Sequence, residues 1–175
     1  MKKNLHWNHK SEIPKPEIPM NLSKEKYVNI AEKVVLHLKG ANASERFIRT
    51  KENLVLRTDI EAGKQKFDLT TTKIRNLLSL LNVIYQNIMD RDSRKKTESD
   101  DWNQLETEIV GKIQYFKMRC AYEAGRDKAV ADLVEKSNLI NYIDNIKDSR
   151  DNFITFFHYV EALVAYHRYY GGREN

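Results

Sequence analysis

Cysteine occurs once in the 175 residues, at Cys120. That count excludes an internal disulfide and any zinc site built on several cysteines, and it suits a reducing cytoplasm. Proline is almost as scarce, with Pro14, Pro16 and Pro19 all inside the first twenty residues. The chain beyond them lacks the residue that most reliably breaks a helix. Glycine is sparse too, at 6 positions, and together these absences favour an all-α fold. No apolar run approaches the ~18 residues that a membrane span requires. The opening MKKNLHWNHK has basic residues with no apolar stretch behind them, so no signal peptide is expected and a cytoplasmic, membrane-free protein is.

What is present is a 41% hydrophobic chain with a net charge of +5 and a pI near 9.1. The apolar content is enough for one cored domain. The basic excess is consistent with an acidic partner and equally with ordinary surface variation. Residues 1–20, with PKPEIP as an extended spacer, read as a flexible, disordered tail. Residues 21–173 read as a single helical domain, a compact bundle of about five to six helices joined mostly antiparallel by short connections.

Within that domain, Tyr27, Ile30, Ala31, Val34 and Leu38 recur at helical spacing, with Gly40 as a stop. Residues 41–67 are least readable, with a short helix near Phe47 and Ile48 and an extended NLVL as options. DLTTTKIRN opens the next helix, with Thr70 as N-cap and Leu69 and Ile74 as a hydrophobic staple. RDSRKKTESDD, from Arg91 on, reads as a polar connection. A further helix carries Ile109, Ile113, Phe116 and Cys120 and ends near Gly125. Asp127 then caps a shorter helix, and the last helix runs from about Asp148 to Tyr170, closed by Gly171 and Gly172.

Three stretches stand out. The first is the helix start, where Lys73 and Arg75 occupy turns that the helix dipole makes unfavourable for cations by about 0.3–1 kcal/mol each. With Lys64 and Lys66 in the preceding loop, the threonines and the free backbone N–H groups, they fit a phosphate site, or else a tolerated polar face. The second is RCAYEAGR, in which Arg119 and Arg126 share a helix face with Glu123 between them. Its structural reading is an ion-pair ladder or a buried Arg–Glu clasp. Gly125 there costs about 1 kcal/mol relative to alanine, so a turn or a close backbone approach is expected to offset it.

The third is HYVEALVAYHRYYGGRE. His158, Glu161 and His167 invite a metal, but His167 lies roughly 120° from Glu161 around the helix, and no second Glu-x-x-His element exists in the chain. No metal is therefore expected. His167 reads as an internally hydrogen-bonded histidine, and Glu161 as the partner of a cation from another helix such as Arg119 or Arg126. Tyr166, Arg168, Tyr169, Tyr170 and Arg173 read as aromatic packing at a helix end or as a stacking platform for nucleic acid. Nothing resembles a nucleophile with its base, a P-loop or a two-carboxylate hydrolase, so neither catalytic residues nor a cofactor is expected.

Taken together, LTTTKIRNLLSL, RCAYEAGR and YVEALVAYHRYYGG resemble the small subunit of the type III-A CRISPR effector, the Csm ribonucleoprotein complex. The resemblance spans about Leu69 to Gly172. It implies an all-helical protein without activity of its own, stacked head to tail as an inner filament along the guide RNA–target RNA duplex. The implied partners are the guide and target RNA, the backbone RNA-binding subunit, the large polymerase-like subunit and further copies of itself. By this likeness Lys73, Arg75, Arg119 and Arg126 are the best RNA-facing residues, with Lys66 and Arg168 behind them. The competing expectations are a helical scaffold without RNA contact and a metal-dependent helical hydrolase.

Overall fold

The computed structural model describes residues 18–38, 69–94 and 102–173. Six α-helices form there: α1 Tyr27–Leu38, α2 Thr71–Arg94, α3 Thr107–Arg126, α4 Lys128–Lys136, α5 Leu139–Asp144 and α6 Arg150–Tyr169. Sheet-like pairing among the described residues is an isolated antiparallel bridge between Gln104 and Ser149. The all-α bundle anticipated from the sequence is what forms. Gly40, Phe47, Ile48, the NLVL piece, Lys64 and Lys66 lie outside the described residues.

The helix ends follow the local chemistry. Thr70 caps α2, its hydroxyl accepting the Lys73 N–H at 3.4 Å, and the staple residues Leu69 and Ile74 are both buried. Ser149 caps α6 through the Asn152 N–H at 3.3 Å. α2 continues further than its sequence suggests, with Arg91 to Arg94 helical rather than part of a connection. Neighbours hold that last turn. Arg91 pairs with Glu106 just ahead of α3, and Arg150 donates to Asp92 at 2.8 and 2.5 Å.

These end contacts fix directions. The end of α2 meets the starts of α3 and α6, so α2 runs antiparallel to both. α1 runs with α6, since Lys24 ahead of α1 meets Asp151 at 2.8 Å and Glu32 accepts the Tyr170 hydroxyl. Helix α6 is the central element. It buries Phe153, Phe156, Phe157, Tyr159, Val160 and Leu163, each large apolar side chain contributing about 1.5–3 kcal/mol. Phe116 of α3 meets Phe156 edge-on at 6.3 Å, and Tyr85 of α2 stacks on Phe157 at 4.2 Å. The buried Tyr159 hydroxyl donates to the Ser137 carbonyl at 2.9 Å, so its polar end is satisfied. Ahead of α1 the chain lies along α5. There Tyr142 donates to the Pro19 carbonyl at 2.8 Å, and Asn141 and Asn145 both donate to that of Met20 at 2.9 Å.

Candidate nucleic-acid interface

The start of α2 and the ends of α3 and α6 gather at one end of the bundle, bringing the three sequence stretches together. Helix α6 closes in a full Schellman turn: Gly172 N–H donates to His167 O at 2.8 Å and Gly171 N–H to Arg168 O at 3.1 Å. Gly171 takes φ +93°, the left-handed conformation that glycine adopts without strain. The turn delivers the Arg173 carbonyl to the Thr71 N–H at 2.7 Å. A backbone donor at the start of α2 is thereby used within the chain. Beneath it His167 is buried, with Nε2 2.9 Å from the Leu69 carbonyl and Nδ1 3.3 Å from the Thr71 hydroxyl. A carbonyl only accepts, so Nε2 carries the proton and Nδ1 accepts from Thr71. Burial holds the His167 pKa below the ordinary histidine value, against the opposing effect of the Leu69 carbonyl. The internally hydrogen-bonded histidine of the sequence reading is found.

Lys73 answers the helix dipole with a counter-ion from its own chain, forming an ion pair with Asp127. The same carboxylate caps α4, accepting from Ala129 N–H at 2.9 Å and Val130 N–H at 3.3 Å. Its pKa is held below the usual carboxylate value, first by the hydrogen bond from Lys73 and then by those two N–H groups. Asp127 follows Arg126 directly, so the cations of the first and second stretches flank one junction. Arg75 lies on the exposed side of α2.

The RCAYEAGR stretch forms a half-exposed ladder along its own helix, not a buried clasp. Glu123 accepts Arg119 at 3.0 Å and meets Arg126 at 3.6 Å. The two guanidiniums stand 5.5 and 5.4 Å from the centre of the Tyr122 ring, which is itself 54% exposed. Glu161 does not reach them, correcting the expected interhelical pair. It sits on the exposed side of α6 and accepts from His158 Nδ1 at 2.8 Å. Arg119 and Arg126, on the outer side of α3, already have an acid four or three residues away on their own helix. Among the described residues no three His, Cys, Asp or Glu side chains converge as a metal site.

At the end of α6 the packing reading prevails for two tyrosines. Tyr166 and Tyr170 stack at 6.1 Å, and the Tyr170 hydroxyl, its pKa raised by burial and by Glu32, donates to that glutamate. Tyr169 remains exposed, and Arg168 donates to the Gly172 carbonyl at 3.4 Å. Two participants escaped the sequence reading. Tyr122 had a signal, its i−3 and i+4 spacing to the two arginines. Asp127 was legible as a cap, but its pairing with Lys73 spans two helices and leaves no local trace.

The fold and this junction define a small all-helical protein with a basic, aromatic-bearing surface at its helix ends. A family model described as Csm2 Type III-A matches residues 48–173. The chain belongs to that family, the small subunit of the type III-A CRISPR effector, and the resemblance drawn from the three motifs is borne out. It is similar to the CRISPR system Cms protein Csm2 of Streptococcus thermophilus, 37% identical over 112 residues, covering 64% of this chain and 81% of that protein. The Csm2 protein of Mycobacterium tuberculosis is 36% identical over 106 residues, 61% of this chain and 78% of its own length. That of Enterococcus italicus is 34% identical over 104 residues, 58% and 68% respectively.

Proposed function

We propose that this protein is a non-catalytic subunit that lies along the guide–target RNA duplex of the type III-A effector and holds its phosphate backbone. Stacked copies, the guide-bearing backbone subunit and the large polymerase-like subunit are its protein partners, and the cytoplasm is its location. The observation that carries the reading is the exposed Arg119–Tyr122–Arg126 cluster beside the Lys73–Asp127 junction. Guanidinium groups held over an aromatic face offer charge to phosphates and a flat surface to a splayed base. Sequence specificity belongs to guide pairing, so backbone and shape contacts suffice here. Lys73, Arg75, Arg119 and Arg126 carry the contact, with Lys66 and Arg168 extending it.

Exposed Leu80 and Val83 support the stacking. They sit in a stretch, residues 76–89, that contains no charged side chain, the kind of surface a neighbouring subunit covers. No described helix is long and apolar enough to cross a membrane, in keeping with the location.

The pairing of Lys73, Arg119 and Arg126 with acids of their own chain favours one alternative, a helical scaffold whose cations are structural. A salt series separates the two. Log affinity for RNA should fall linearly with log salt, with the slope shallower by about one to two units in both Lys73→Ala/Arg75→Ala and Arg119→Ala/Arg126→Ala. Slopes and affinities equal to the parent protein in both double variants would overturn the RNA-facing assignment and leave the scaffold.

A further inference from the structure

We infer that Glu123 and Asp127 are built-in stand-ins for two phosphates of one RNA strand, occupying the cations of the interface in the free protein and weakening its hold on RNA. The inference rests on the RNA reading above and concerns how that contact is regulated.

Three of the cations assigned to RNA, Lys73, Arg119 and Arg126, are paired with these two carboxylates. Glu123 divides its oxygens, Oε1 accepting from Arg119 at 3.0 Å and Oε2 meeting Arg126 at 3.6 Å. Asp127 divides its own. Its Oδ1 accepts from the Ala129 and Val130 N–H groups at 2.9 and 3.3 Å, and its Oδ2 pairs with Lys73. The acids are four residues apart at the end of α3, about 6 Å along its axis, a separation comparable to that of successive phosphates on one strand. Both side chains keep contact with solvent, Glu123 28% and Asp127 30% exposed, so a strand can reach the paired cations directly.

Local stability does not account for this placement of charge. Glu123 occupies the last turn of α3, where the helix dipole disfavours an acid. It also follows Arg119 by four residues, the weaker order for such a pair. Asp127 is required as a cap, but asparagine caps as well as aspartate. What the carboxylate adds is a charge for Lys73, which itself opposes the dipole of α2. Lys73 and Glu123 thus sit against the field of their own helices, and both are ion-paired at the end of the bundle where the cations gather.

The two acids give way differently. The capping hydrogen bonds pin Asp127, so it stays beside Lys73 and repels an arriving phosphate. Glu123 is held by the flanking arginines and can swing aside on its own rotatable bonds. In either case each phosphate must compete with a carboxylate already in place. A free subunit therefore holds stray RNA weakly, and contact becomes favourable where the assembled complex presents several phosphates together.

Titration of a fluorescently labelled RNA duplex tests this, using the full chain as parent, Glu123→Gln, Asp127→Asn and the double variant. Asp127→Asn keeps the α4 cap, and melting temperatures check that every variant is folded. Each substitution should tighten binding about three- to fivefold at low salt, the double variant by roughly the product, and the gains should shrink as salt rises. Asp90→Asn is the control. It changes net charge equally, is exposed, and lies 17 residues along α2 from Lys73, about 25 Å away and beyond the Debye length. Its affinity should match the parent. Gains absent from both acid variants, or equalled by Asp90→Asn, overturn the inference. Arg119→Ala/Arg126→Ala keeps the two readings separate. Affinity lost there but not gained in the acid variants overturns the carboxylate role alone. Affinity unchanged in the arginine and acid variants alike, or binding by none of these proteins, overturns the RNA contact as well.

Discussion

Gly172 and His167 compete for the same space. A β-carbon on the glycine would lie 2.1 Å from Cε1 and 2.2 Å from Nδ1 of the ring, and 2.7 Å from the His167 carbonyl oxygen. The backbone cannot simply back away, because Gly172 N–H donates to that carbonyl and the next residue caps α2. Gly172→Ala should therefore destabilise the protein by about 1–3 kcal/mol, the usual cost of overpacking. Gly111→Ala and Gly125→Ala provide the contrast, since both sites are open. Each should leave the monomer unchanged or stabilise it by up to about 1 kcal/mol. Thermal denaturation of the three variants at one low concentration checks the set.

The neutral His167 should make stability pH-dependent. Burial depresses its pKa below 6.5 in the folded protein, so the unfolded chain takes up the proton first as pH falls. The contribution is complete above pH 6.5 and is lost as pH drops through the folded value. Melting temperature should decline over that interval in the parent protein and decline less in His167→Gln, although the variant starts lower. Asp127 and Glu108 are held below the usual carboxylate value, and their losses come at still lower pH. A parallel decline in both proteins would show that His167 is not the titrating group.

Lys73 and Asp127 should respond unequally to removal. Lys73→Ala forfeits a partly exposed ion pair but also relieves the charge opposed to the α2 dipole, so its melting temperature should barely move. Asp127→Ala removes the α4 cap and the counter-ion of Lys73 together, and should lower the melting temperature clearly. Equal effects in the two variants would show that the ion pair, not the cap, dominates at this junction.

Glu161→Ala should be nearly silent, within about 0.5 kcal/mol in denaturant unfolding. Its partner His158 lies on the same helix at the surface. A loss of several times that size would mean that Glu161 holds a buried cation after all.

Much of the fold was legible because helices declare themselves locally. Thr70, Leu69 and Ile74 mark the start of α2 within a few residues of each other, and Asp127 marks that of α4. The extra turn of α2 was not, because Arg91 and Asp92 are helical only by virtue of Glu106 and Arg150, which approach from other elements. Glu161 was misread for a related reason. Helix α6 is buried on most of its circumference, and the apolar run around Glu161 conceals that this position, like Ala165 one turn on, faces outward. The site follows the same rule. The Arg119–Tyr122–Arg126 spacing can be read along one helix, while Lys73 with Asp127, and Thr71 with Arg173, exist only once the helices are packed.

Cys120 supplies a practical consequence. It lies fully buried in α3, and desolvation pushes its thiol pKa up to about 12, so almost no thiolate is present at neutral pH. The native chain should thus be inert to maleimides. A cysteine introduced at any exposed position becomes the single labelling point, and fluorophores or spin labels can be attached without first removing the natural thiol.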